Sequence, residues 1–206
     1  RITGNVGVRA VKTDTFVQAQ IGTTSGIAPR DANTSYTDVL PTVNLSGKIT
    51  ENTILRFGYG KGITRPDPAA LNPSVVVNLT SGVAQVGNAD LRPQRADSFD
   101  LSLEHYFSRA NYVSVGVFSK RIDGFFSATS SCQTVSGFTY TGVTANGCSN
   151  GQFFVTQTVN AQRGTAKGVE VAAQTFFDYA FLPDFLHKFG ASGSFTYVDT
   201  KNPILL

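Results

Sequence analysis

The 206-residue chain contains no methionine and no tryptophan, only two cysteines, and little charge: Lys, Arg, Asp and Glu make up 15% of it. A typical soluble domain carries about 25%. Each shortage excludes something. No run of 18 apolar residues occurs, so the chain is not a helical membrane protein. With 11% aromatic residues and so few charges it does not have the composition of a disordered chain either. The net charge is +3 and the basic residues are scattered, not clustered among aromatics, which leaves no footprint for nucleic acid. Catalytic and metal signatures are missing as well. There is no H-E-x-x-H, Walker loop or G-x-S-x-G elbow. His105 and His187 lack metal-ligand spacing to the cysteines. The expectation is therefore a non-enzyme with no catalytic residue, metal site or cofactor. Position 1 is Arg where translation would place Met, so the chain reads as a piece of a longer protein. The absence of a signal peptide then says nothing about compartment.

Hydrophobic residues make up an ordinary 41%, and Gly, Ser, Thr, Asn and Gln take the place of charge. Their order is informative. Ile2, Val6, Val8 and Ala10 alternate with Thr3, Asn5 and Arg9, a period of two that marks a strand with one apolar and one polar face. The same period recurs, so strands are expected near 2–12, 37–49, 53–64, 96–107, 111–122, 164–177 and 189–200, within one unit covering 1–206. These strands are about ten residues long. Soluble strands usually run 5–6, whereas a tilted strand needs about 9–11 to cross a bilayer. The mid-strand charges Arg9, Lys48, Arg56, Asp100, Glu104 and Glu170 all fall on the polar parity. Lys61 and His105 break it only near strand ends, where a charge facing lipid is tolerated.

The connections alternate in length. Long links at 13–37, 64–96 and 122–163 follow or precede short turns at 50–52 and 108–111; the apolar link 178–188 is longer than a tight turn. Alternation of this kind belongs to an up-and-down outer-membrane barrel with long outer loops and short periplasmic turns. The expected fold is all-β: a transmembrane antiparallel up-and-down β-barrel, here a partial barrel of about seven long strands. A soluble β-sandwich is the competing architecture.

Several loop residues are candidates for ligand contact. Arg65 and Asp67 sit in a rigid Arg-Pro-Asp-Pro loop entry, where anchoring the loop is the alternative role. Phe125, Phe126 and Tyr140 lie in the longest loop and offer rings that can stack on a planar or sugar ligand. Packing within the loop or an aromatic girdle is their alternative. Cys132 and Cys148 share one Gly/Ser/Thr/Asn-rich stretch and read as a disulfide, which points to an oxidising compartment. The alternative is two free thiols.

Four stretches carry a family resemblance. Tyr36-Thr37-Asp38-Val39-Leu40-Pro41-Thr42-Val43-Asn44-Leu45 resembles a strand of TonB-dependent receptors. The segment Leu55–Pro66, ending in Thr64-Arg65-Pro66, is similar to the strand that follows it. Gly87-Asn88-Ala89-Asp90-Leu91-Arg92-Pro93-Gln94-Arg95-Ala96-Asp97-Ser98-Phe99-Asp100-Leu101 resembles the family's G-N-P-x-L-K-P-E-x-S-x-N-x-E-x-G element, with Ala89, Arg92 and Gln94 as departures, and Gly168-Val169-Glu170 sits where a G-x-E strand would lie. The resemblance implies a bacterial outer-membrane receptor that takes up a siderophore, saccharide or similar solute. Its implied partners are outer-membrane lipid, a plug domain of the same full-length chain, TonB, and a small-molecule or oligosaccharide ligand. A passive channel or adhesin-like barrel is the alternative function.

Overall fold

The computed structural model describes residues 1–23, 26–142, 147–149 and 151–201. Seven long strands form one antiparallel sheet: β1 (Ile2–Thr23), β2 (Gly26–Lys48), β3 (Thr53–Thr64), β6 (Gln94–Tyr106), β7 (Tyr112–Asp123), β10 (Gly164–Phe176) and β11 (Gly190–Lys201), adjacent in that order. Two long connections supply a second sheet of β4 (Val75–Asn78), β5 (Val83–Val86), β8 (Phe126–Gln133) and β9 (Phe153–Asn160), ordered β4-β5-β9-β8. One helical turn, α1 (Pro68–Leu71), precedes β4, and a 3-10 helix (Asp184–Lys188) lies between β10 and β11.

The large sheet separates its two faces by chemistry. One ladder runs Leu45, Phe57, Leu101, Val117, Val169, Tyr197 across six strands. The ladder below it runs Ile2, Gly47, Leu55, Leu103, Val115, Val171, Phe195. Among the described residues no second layer covers these side chains: nine of the twelve large ones stand exposed, and Phe57, Leu101 and Val171 are half-buried. The accessible surface is 13470 Å², whereas a compact monomer of this mass would expose about 9,300 Å². An apolar face this broad is stable only against an apolar solvent or partner.

The apolar face ends on charge. Lys61, Asp97 and Arg121 are register neighbours on β3, β6 and β7, joined at 3.4 Å and 3.1 Å. Lys167 and Asp199 pair at 3.5 Å on β10 and β11. Period-two reading singled out Lys61 alone; the structure adds four more charges at the same edge, each neutralised by a neighbour. Along β7, from Tyr112 to Arg121, the strand rises about 30 Å, or about 23 Å in height at a tilt near 40°, close to the about 25 Å apolar band of a barrel wall.

The band crosses the ladders obliquely. Its upper limit is the Lys61–Asp97–Arg121 ladder on β3 to β7, and one ladder lower, at Lys167–Asp199, on β10 and β11. Its lower limit drops as well: Thr53 and His105 end it on β3 and β6, while the same ladder is still apolar at Val113 and Ala173. Strands tilted against a membrane plane require that drift, because ladders run perpendicular to strands and not parallel to the bilayer.

The opposite face is polar. Arg56 Nε donates to Glu104 at 2.7 Å, the Tyr106 hydroxyl donates to the same carboxylate at 2.9 Å, and Asn44 donates to Asn5 at 3.0 Å. Gly168 is required there: a Cβ would lie 2.7 Å from the Phe118 ring and against the Tyr197 carbonyl.

The expected long links contain more structure than their composition announces. Residues 13–37 are not an irregular loop, because β1 and β2 stay paired from Ile2↔Gly47 up to Thr23↔Gly26. Beyond Thr42 the β2 strand leaves β3, so the upper half of this hairpin is a free two-stranded ribbon.

Candidate functional site

The outer end of the wall carries a body built from the two long connections. β5 pairs in parallel with β9, joining residues about 70 positions apart. The core of the small sheet is Ala84, Val135, Tyr140, Phe153 and Val155, with Phe153 fully buried at 0% exposure. Cys132 at the end of β8 is disulfide-bonded to Cys148, with the Cα atoms 5.5 Å apart.

The Gly87–Pro93 element ties these two connections together. The Asn88 amide donates to the Thr158 carbonyl at 2.9 Å, and its side-chain oxygen accepts from the Asp90 N–H. Asn160 reaches back: its oxygen accepts from the Arg92 N–H at 2.8 Å, and its amide donates to the carbonyls of Arg92 and Gly124. Leu91 and Pro93 are fully buried beneath. Gly87 is needed because a Cβ would collide with the Asn72 carbonyl. The motif therefore acts as a knot between loops.

The candidate ligand residues fall in different places. Arg65 is exposed, and its guanidinium donates to the Thr13 hydroxyl at 3.1 and 3.2 Å, which fastens the β3 end to the β1–β2 ribbon. Asp67 caps α1 by accepting from the Ala69 N–H at 2.8 Å. Phe125 is half-buried over Gly164, and its carbonyl accepts from Ala161. Phe126 opens β8 and is half-buried. Tyr140 takes up the packing that stood as the alternative to ligand contact: it is 3% exposed, packed with Phe153 at a ring separation of 5.7 Å. Self-packing, not stacking on a ligand, explains that ring. None of the five lines either of the two cavities at this end of the wall.

Sequence reading did not single out the surface that does gather polar groups. Val76, Gln85, Thr156 and Ser130 are consecutive across the four short strands. The Ser130 and Thr156 hydroxyls hydrogen-bond at 2.9 Å. With Ser74 and the α1 alanines, Val76, Gln85 and Thr156 border a trough of about 320 Å³ that no charged side chain lines. Its hydroxyl and amide groups can hydrogen-bond a ligand but cannot neutralise a charged one. A second cavity of about 410 Å³ lies where β2 parts from β3, and half of its lining residues are charged: Asp38, Lys61, Arg95, Asp97, Arg121 and Asp123. There Arg95 reaches the buried Asp38 at 2.6 Å. Among the described residues no cluster of His, Cys, Asp and Glu has metal-binding geometry.

On the ribbon, the Asp14 carboxyl is held below its ordinary value of 3.8 by the hydrogen bond from the Ser35 hydroxyl and by Lys12. Here the strands stand above the apolar band; the face with Asp14 and Phe16 is exposed, while the face with Ala19 and Asp38 is half-buried to buried.

The comparisons with known proteins agree with this architecture. The family profile described as TonB dependent receptor-like, beta-barrel, matches residues 1–204. No curated protein matches by sequence. Among solved structures, a mutant of the ferric enterobactin receptor PfeA from Pseudomonas aeruginosa superposes with a TM-score of 0.61 at 16% identity, over 92% of this chain and 26% of that one. The siderophore receptor PirA from the same organism gives 0.58 at 14% identity, over 95% and 34%. The copper transporter OprC gives 0.56 at 18% identity, over 98% and 27%. This chain thus spans between a quarter and about a third of the length of these structures. The long tilted strands, the one-sided apolar band and the profile match lead to one assignment: the chain belongs to the TonB-dependent receptor β-barrel family.

Proposed function

We propose that the full-length protein is a bacterial outer-membrane receptor that captures a scarce, large solute and imports it with energy delivered through TonB. The observation that carries this reading is the construction of the outer end. A wall with a lipid-matched apolar band bears two loops welded by a shared sheet and an asparagine knot, the second loop braced within itself by a disulfide. A passive pore needs no such body. The polar face of the wall, with Arg56, Glu104 and Asn44, is the surface a plug domain of the same chain would meet. Energy must come from the inner membrane, since the periplasm offers no ATP. The described residues supply a wall and a ligand-bearing loop body, with no catalytic step assigned to them. The uncharged trough suits a ligand held by hydrogen bonds, such as a saccharide or the neutral part of a siderophore.

Cells expressing the full-length gene, supplied with a panel of 55Fe-loaded siderophores and radiolabelled oligosaccharides, test the proposal. Accumulation of at least one compound that stops when TonB is deleted supports it. Accumulation that persists without TonB establishes the passive channel instead.

A further inference from the structure

The connection between β10 and β11 lies at the end of the wall where the other two turns are short. It is long, rich in rings, and turned inside out. Phe181 and Phe185 are 82% and 66% exposed, and Phe189 is exposed beside them. Part of its backbone and its histidine bond internally, while Asp178, Asp184 and Lys188 stand exposed, where they can reach the headgroup layer. Leu182, Leu186 and Phe189 donate their N–H groups to the carbonyls of Tyr179, Pro183 and Leu186. His187 Nε2 lies 3.1 Å from the Leu182 carbonyl and 3.3 Å from that of Tyr179. The Tyr179 hydroxyl bonds Thr175 at 2.7 Å, and its ring stacks on Phe181. Exposed rings flanked by exposed charges are the arrangement that the edge of a hydrocarbon layer selects, with the rings in the leaflet and the charges among the headgroups.

Directly above this connection the apolar face is indented. A cavity of about 440 Å³ has Val113, Ala173 and Ala191 in its floor, with Phe107 and Tyr179 at its border. It continues the lipid-facing band without a break, since Val113 and Ala173 lie one step below Val115 and Val171 on the same strands. A further strand beyond β11 would wall its far side and leave the floor in place.

We propose that this connection is a lipid-gripping foot: Phe181 and Phe185 enter the periplasmic leaflet of the outer membrane, and one phospholipid acyl chain seats in the indentation above them. The occupant is a phospholipid and not a protein, because the cavity opens onto the band that already faces acyl chains. The inference concerns anchoring and is independent of what the receptor imports.

The test uses the full-length receptor in nanodiscs of phosphatidylethanolamine doped with phosphatidylethanolamine bearing a photoreactive diazirine on one acyl chain. Illumination labels the 178–189 peptide and the residues around Ala173. Phe181→Ser with Phe185→Ser lowers labelling of the 178–189 peptide at least fivefold while the 113–117 wall segment keeps its label. Ala173→Phe fills the cavity and removes one tightly held phospholipid per receptor in native mass spectrometry. Heat-modifiable migration on gels reports folding of each variant. The two Phe substitutions lie on an exposed connection, so they remain informative if Ala173→Phe fails to fold. An unlabelled 178–189 peptide in the parent receptor overturns the proposal. So does unchanged labelling in the double variant, or crosslinking of this segment to another protein.

Discussion

Placing a charge at two heights on one strand separates a lipid-facing wall from an exposed soluble sheet. Val115 lies on the apolar face of β7, in the ladder of Leu55, Leu103, Val171 and Phe195, midway between the Arg121 charge edge and the Asn111 turn. Ser119 lies four residues higher on the same face, beside Lys167. Val115→Arg should cost about 2–4 kcal/mol, and Ser119→Arg about 0–1 kcal/mol, by the depth dependence of arginine on barrel exteriors. A cost of 2–4 kcal/mol lowers the folding equilibrium constant about 30- to 900-fold. Val115 is already 45% exposed in the isolated chain, so in water neither substitution would matter much. The assay is urea unfolding of the full-length receptor refolded into phospholipid vesicles, read by heat-modifiable migration. Equal, small effects at both positions would refute the lipid-facing assignment.

Other expectations concern the outer body and the ribbon. Phe153→Ala removes the fully buried centre of the small sheet and should cost about 3–5 kcal/mol, read as faster amide exchange in β5 and β9 with the wall unaffected. Replacing Cys132 and Cys148 with Ser releases a loop whose closure contributes about 3 kcal/mol on the chain-entropy view, and exchange should rise in β8 to that degree; unchanged protection would contradict it. Asn160→Ala leaves the Arg92 N–H and the Arg92 and Gly124 carbonyls without their partner, so both long connections should loosen together, by about 1–3 kcal/mol. Asp14 titrates below 3.8 in the folded ribbon. Its pairing with Ser35 and Lys12 is therefore fully present above that value and lost as pH falls through the lowered one. Carboxyl NMR should show this loss, and Asp14→Asn should abolish it.

The wall was legible in the sequence because two solvents act on it. Lipid on one side and a polar interior on the other force the alternation seen at Val113, Val115 and Val117. Where that contrast ends, so does the signal. Thr13, Asp14, Thr15, Gln18 and Gln20 belong to a regular strand above the charge edge, where the exposed face carries Lys12, Asp14, Gln18 and Gln20 in place of an apolar row, so the pattern of the wall stops. The short strands were hidden for another reason. β5 finds its partner β9 some 70 residues away, and four-residue segments such as Val83–Val86 carry no period of their own. Tyr140 stays open between ligand contact and loop packing in the sequence because nothing local reveals that Phe153 comes to lie against it. The resemblance at Gly87–Pro93 pointed to the right place. Its use as a fastening between loops needed Thr158 and Asn160 in view.

Because Asn88, Asn160 and the β5–β9 pairing hold the two connections as one body, they form a single unit of exchange. Moving residues 64–96 alone onto another barrel would transplant half a sheet with a raw edge and an unfilled core. A graft meant to carry this protein's recognition surface must bring 122–163 along with it. By the same logic, insertions that lengthen one connection need a compensating change in the other.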